Sequence, residues 1–179
     1  DVGCSTGGTT AVLAASFDAD VVGIDVSPLS VDAAQVRLQG LGLTRASALL
    51  VDPNKPWPFE PQSFDLVVCV SVLEFVPTEG DRERFLAQIA ASAREYVYIS
   101  TPSPYAWREL HSGRVLGNQR KTPESPWAST ASWIGARLPG FVRQSVPRRL
   151  SRWQKLLFRR VALMALVGLL MPECLVAIE

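Results

Sequence analysis

The chain has 179 residues, 47% of them hydrophobic and 20% charged, a composition that excludes a low-complexity or disordered polymer and suffices for one sizeable core. Its net charge of +1 hides an asymmetry that points the C-terminal part toward something anionic, a membrane surface or a negatively charged partner. Residues 1–124 carry 10 basic and 15 acidic side chains, whereas 125–179 carry 8 basic and 2 acidic ones. Cys4, Cys69 and Cys174 are odd in number and far apart, which fits neither a disulfide framework nor a zinc pattern. Reduced thiols in a cytoplasmic protein are expected, and no metal.

The chain opens at Asp1 without methionine, and reads as a fragment whose first strand is largely missing. Asp1-Val2-Gly3-Cys4-Ser5-Thr6-Gly7-Gly8 places an acid and three glycines within eight positions. Glycines suit a backbone that turns tightly or approaches a ligand, and a following helix N-terminus offers unpaired N–H donors. A helix is predicted over about 8–17 and a strand over Val21–Ile24, closing on Asp25, where a carboxylate can hold ribose hydroxyls.

Ser27-Pro28 supplies an N-cap and a first helical proline. The helix they start runs to about Gln39, with Leu29, Ala33, Val36 and Leu38 assigned to one face, and Gly40 and Gly42 break it. Ala46–Val51 reads as a strand ending at Asp52-Pro53, before a proline-punctuated loop that runs to Pro61. Phe64–Ser71 is a continuous apolar run of the kind a parallel strand buried on both faces requires. Val72–Pro77 is a turn, and a helix follows over about 78–94 with Phe85, Leu86, Ile89 and Ala93 at helical spacing and acids in its first turn.

Tyr96–Ser100 is the next predicted strand, and 105–126 is an irregular polar and aromatic stretch. A short helix over 128–138, a strand over 141–146 and a last strand over 173–179 complete the pattern. Residues 147–171 form an insertion before that last strand, basic at first and apolar afterwards. Its eleven-residue apolar run is shorter than the about 20 residues a bilayer span needs, so it fits an interfacial helix, a lid, a dimer face or ordinary core packing. Trp153, Leu156, Leu157 and Phe158 among its basic residues favour a membrane surface or an amphiphilic substrate over nucleic acid.

Alternation of strands and helices argues for an α/β fold with a mostly parallel sheet. The glycine loop, Val22-Gly23-Ile24-Asp25, Asp52 before its proline-rich turn, Ser63-Phe64-Asp65 and Val72-Leu73-Glu74-Phe75-Val76 together resemble the class I S-adenosylmethionine-dependent methyltransferases that act on small molecules. The resemblance covers about residues 1–146 and the last strand. It implies a single Rossmann-like three-layer domain whose seven-stranded sheet has a truncated first strand and an antiparallel last one. It also implies S-adenosylmethionine as cofactor and methyl transfer to an O, N or C atom of a small acceptor, hydrophobic or membrane-associated compounds among the candidates.

Position by position, the resemblance implies that Asp1, Gly3, Ser5 and Gly7 hold the methionine end, Asp25 the ribose and Val26 the adenine face. Asp52 would take the adenine amino group, and Val70 and Ser71 would border the sulfonium. Ser5 departs from the family's usual glycine, and Phe75 stands where relatives often carry histidine. Glu74, Tyr105 and Trp107 are candidates for the acceptor pocket, although Glu74 equally suits a solvent-facing position. His111, the sole histidine, is the candidate general base. In-line positioning is the main need of methyl transfer, so no base is obligatory.

Two other readings share parts of this pattern. An NAD(P)-dependent Rossmann oxidoreductase would use the same cradle, but Ser5 interrupts Gly-x-Gly-x-x-Gly and Asp1 would repel a pyrophosphate. A non-catalytic module docking to a membrane through 147–171 is the other. The partners expected are a small-molecule acceptor, no nucleic acid and a peripheral membrane contact through 147–171.

Overall fold

The computed structural model describes residues 1–17, 19–102, 131–138, 143–144 and 173–178. They fall into two compact units, Asp1–Val72 with Gln88–Val97, and Leu73–Ala87 with Tyr98–Glu179. The elements in chain order are α1 (Gly8–Ser16), β1 (Val21–Asp25), α2 (Pro28–Gly40), β2 (Ala46–Leu50) and β3 (Phe64–Val70). A single 3-10 turn (Leu73–Phe75), α3 (Glu79–Ser92), β4 (Ala93–Pro102), α4 (Ala131–Gly135), β5 (Arg143–Gln144) and β6 (Glu173–Ile178) follow.

In the first unit β1 and β2 pair in parallel from Val21↔Ala46 to Asp25↔Leu50. Val2 bridges Ile24 on one side and Cys69 on the other, both in parallel. Within the first unit β1 and β3 therefore meet across Val2, with β2 beyond β1; the other hydrogen-bonded order is β3-β4-β6-β5. Chain order runs outward from Val2 to β1 and β2, then returns to β3 on the opposite side. This reversal defines the topological switch point of an open α/β sheet, and the fold is Rossmann-like as expected.

The core beside β1 and β2 gathers Cys4, Ala11, Val31, Ala34, Leu38 and Ala48. The buried stripe of α2 is thus Val31-Ala34-Leu38, a three-then-four spacing, while Leu29 is 81% and Val36 71% exposed. Of the residues assigned to one face, Leu38 is buried, whereas Leu29, Ala33 and Val36 are exposed. Gly7 explains the choice: a Cβ on it would stand 3.0 Å from the Ala34 Cβ, so the loop backbone sits directly on α2 and demands a small residue there. Ser27 caps α2 as predicted, its Oγ accepting from the Ser30 N–H at 3.3 Å, with proline opening the helix.

Strand β3 departs from the expectation of burial on both faces. Val67, Val68 and Cys69 are buried, but Leu66 is 43% exposed and Asp65 lies open. The start of β3 borders a cavity of about 500 Å³ that Phe17, Val22, Trp57 and Phe64 also line. Strand β4 begins at Ala93, three residues earlier than predicted, so Ala93 belongs to the strand and not to the preceding helix.

In the second unit the buried apolar residues are Leu73, Leu86, Ile99, Ile134 and Leu138. Thr78 starts α3: its Oγ1 accepts from the Asp81 N–H at 3.1 Å and donates to the Asp81 carboxylate at 2.6 Å. Helix α4 is tied to α3 by side chains. Arg137 reaches Glu83 at 2.8 Å and Glu79 at 3.1 Å, and the Trp133 indole N–H donates to Glu79 at 3.2 Å. The Arg82 and Arg137 guanidiniums lie 4.6 and 4.0 Å from the Trp133 ring centre, within cation–π range. Strands β5 and β6 pair antiparallel, with Arg143 opposite Ile178, as expected for the last strand.

Candidate functional site

Because β1, β2 and the Val2 bridge are mutually parallel with β3, the segments that leave their carboxyl ends lie along one edge of the first unit. Those segments carry Gly3, Ser5, Gly7, Asp25, Val26, Asp52, Val70 and Ser71, with Asp1 just before the loop. The switch point falls between the glycine loop and Ser71, where open α/β sheets bind ligands.

The glycine loop is shaped by space. Gly3 has φ 71°, and a Cβ on it would meet the Val72 Cγ2 at 2.2 Å, so only glycine lets the loop pass the turn after β3. Gly7, at φ 77°, is the N-cap of α1 with no side-chain cap, leaving the first amides of α1 unclaimed by such a group. Gly23 lies in β1 beneath the loop, where a Cβ would press to 2.7 Å of the Cys4 Cβ and 2.8 Å of the Thr10 Oγ1. Its importance left no signal in the sequence beyond an unexplained glycine within a strand.

Asp25 anchors the loop electrostatically. One carboxylate oxygen accepts from the Ser5 N–H at 2.8 Å and the other from the Ser27 N–H at 2.9 Å. The same residue's carbonyl accepts from Val51 N–H at 2.9 Å, which places Asp52 on the adjacent strand end. Each Asp25 oxygen retains a lone pair for a second donor such as a ribose hydroxyl. Ser5 itself adopts φ 47° and Ser71 φ 55°, left-handed conformations that side chains rarely take. Both strained serines lie in the segments at the carboxyl ends of the parallel strands, and backbone strain is common near ligand sites.

The Asp1 carboxylate accepts from Thr10 Oγ1 at 2.6 Å, a charge-assisted bond from the buried face of α1. Asp52 accepts from the Asn54 N–H at 2.9 Å, and this bond first, with Lys55 at 3.5 Å second, holds its carboxyl below the ordinary range. Val26 is 57% and Val70 36% exposed, leaving apolar surface along the edge. Burial first, then the Asp25 charge, pushes the Cys4 thiol upward, so this loop cysteine stays protonated. The residues fit S-adenosylmethionine: carboxylates for an ammonium and a diol, clearance at Gly3 and Gly7, and apolar flanks for a flat ring.

Glu74 belongs to the second unit and is fully buried, accepting from Thr101 Oγ1 at 3.1 Å. It does not face solvent, and it ties the turn before α3 to the end of β4. Tyr105, Trp107 and His111 lie outside the described residues, as does the 147–171 insertion. The 500 Å³ cavity lies at the start of β1 and β3 and touches none of the carboxyl-end residues except Asp1. Among the described residues no group of three or more His, Cys, Asp or Glu side chains is arranged to hold a metal ion.

A family model described as "Methyltransferase domain" matches residues 1–95, just over half of the chain. The chain belongs to this family, in its class I S-adenosylmethionine-dependent form. It is 29% identical over 144 residues to the chloroplastic tocopherol O-methyltransferase of Arabidopsis thaliana, covering 75% of this chain and 40% of that protein. It is 36% identical over 78 residues to the trans-aconitate 2-methyltransferase of Methylobacterium radiotolerans, covering 43% and 27%. A solved S-adenosylmethionine-dependent methyltransferase from Mesorhizobium loti shares its fold with a TM-score of 0.68 at 18% identity, covering 100% of this chain and 89% of that one. The chain spans less than half the length of the curated relatives it matches.

Proposed function

We propose that this domain binds S-adenosylmethionine along the carboxyl ends of β1, β2 and β3 and transfers its methyl group to an O, N or C nucleophile of a small molecule. The observation that carries the reading is the Asp25 clamp, one carboxylate drawing together the glycine loop and the loop after β1 at the switch point. Bound there, the cofactor supplies an electrophilic methyl on a positively charged sulfur. The chain's part is to position the two partners: Asp25 for the ribose, Asp1 for the ammonium, Asp52 for the adenine amino group and the Gly3–Gly7 backbone for close approach. The relatives, named for methylating tocopherol and trans-aconitate, support a small-molecule acceptor and leave the methylated atom open. Tyr105, Trp107 and His111 are the sequence's candidates for acceptor contacts and proton removal.

The test is calorimetry of the intact protein with S-adenosylmethionine, S-adenosylhomocysteine and NADH, with Asp25→Ala alongside. Micromolar binding of both sulfur ligands, weakened at least about tenfold by Asp25→Ala, is expected. Binding of NADH with neither sulfur ligand would overturn the reading. Detection of methylated product in an acceptor screen then separates catalysis from binding alone.

The charge and aromatic pattern of 147–171 supports a peripheral membrane contact as an accompanying property. Deleting that stretch is expected to abolish sedimentation with anionic liposomes, and unchanged sedimentation would remove the membrane from the account.

A further inference from the structure

Thr10 stands apart from the other polar residues of the first unit. It is fully buried in α1, one turn beyond the glycine loop. A helical threonine commonly returns its hydroxyl to the carbonyl four residues earlier. Here the hydroxyl instead donates across nine positions to Oδ2 of Asp1 at 2.6 Å, the length of a bond strengthened by the acceptor's charge. The hydroxyl reaches that place because β1 carries glycine at position 23: a Cβ there would approach the Thr10 Oγ1 to 2.8 Å. The backbone of Asp1 is fixed as well, its carbonyl accepting from the Ile24 N–H at 2.9 Å, and the next amide, Val2 N–H, donating to Val68 at 2.7 Å. With the main chain held by both neighbouring strands, the carboxylate torsions are the remaining freedom of Asp1, and Thr10 removes it.

We propose that Thr10 is a positioning residue for the amino-acid end of the cofactor. It holds one oxygen of Asp1 so that the other is pre-aimed at the ammonium group. Preorganising an acceptor before its ligand arrives removes an ordering cost that binding would otherwise carry. The inference rests on Asp1 facing the methionine end, as proposed above.

The experiment separates the two halves of the cofactor. S-adenosylhomocysteine carries the amino-acid end, whereas 5′-methylthioadenosine lacks it and keeps the nucleoside. Both are titrated into the intact protein and its Thr10→Val, Thr10→Ser and Asp1→Asn variants. Thr10→Val is expected to weaken S-adenosylhomocysteine about tenfold while 5′-methylthioadenosine stays within about twofold, and Thr10→Ser is expected to restore the first ligand. Equal loss of both ligands in Thr10→Val would show a merely structural role and overturn the proposal, as would unchanged S-adenosylhomocysteine binding. Asp1→Asn distinguishes the underlying reading. If it binds S-adenosylhomocysteine as tightly as the parent, Asp1 does not meet the ammonium and the assignment of that end falls. If it loses affinity while Thr10→Val does not, only the role of Thr10 falls.

Discussion

The glycine loop of the first unit and the α3–α4 contact of the second are held by opposite means. The loop depends on side chains that are absent: Gly3, Gly7 and Gly23 admit contacts that one added methyl would block, and Asp25 and Thr10 bind through short, directed hydrogen bonds. The α3–α4 contact depends on long side chains around Trp133: Arg82, which is buried, and Arg137 with its ion-pair partners Glu79 and Glu83, the two glutamates about half exposed. Clearance is unforgiving, because the atoms an added methyl would meet, the short side chains of Val72, Cys4 and Thr10 and the α2 backbone at Ala34, cannot swing aside. Ion pairs between solvated groups are replaceable, because water and salt compete for the same charges. A ligand-binding edge built the first way is rigid but intolerant, and a helix contact built the second way is adaptable.

The largest break in this contrast is expected from Gly3→Ala. Its Cβ would overlap the Val72 side chain and force a left-handed alanine, so a loss of about 3 kcal/mol together with abolished cofactor binding is expected in thermal unfolding and calorimetry. Trp133→Ala removes the ring that both guanidiniums cover, and should lower stability by about 1.5 kcal/mol with cofactor affinity unchanged. Ser5→Gly sharpens the comparison from the other side. It relieves the left-handed conformation, and a gain of about 0.7 kcal/mol in loop order is expected as tighter S-adenosylhomocysteine binding, since the amide that meets Asp25 is retained. Arg137→Met should cost the least, about 0.5 kcal/mol, and the difference should fade in denaturant titrations at 1 M salt. An Arg137→Met loss as large as that of Gly3→Ala would erase the distinction.

Much of the first unit was legible because its signals are local. The glycine loop, the carboxylate closing β1, the Ser27-Pro28 cap and the turn at Asp52-Pro53 each sit within a few residues of the backbone they shape. The contacts that organise the site span longer distances. Ser5 to Asp25 crosses 20 positions and Thr10 to Asp1 crosses nine, and neither leaves a periodicity to read. The buried face of α2 was read correctly at Leu38 but not at Leu29, Ala33 and Val36, because nothing local shows the close approach of Gly7 that selects Ala34. Glu74 was read as an exposed or pocket-lining acid because nothing near it in sequence shows that Thr101, 27 positions on, donates a hydrogen bond to its buried carboxylate. The departure of Ser5 from the family glycine is accommodated, since its amide is held by Asp25 despite the positive φ.

That arrangement has a practical meaning for anyone altering the donor this domain accepts. Changing the acid at the end of β1 is the obvious way to retune a nucleotide pocket toward an analogue with a modified sugar. In this chain the exchange would remove the acceptor for two backbone amides and leave a strained serine without its tether. Engineering would therefore proceed as a paired edit, with glycine installed at position 5 before Asp25 is touched, so that the cradle survives the loss of its clamp.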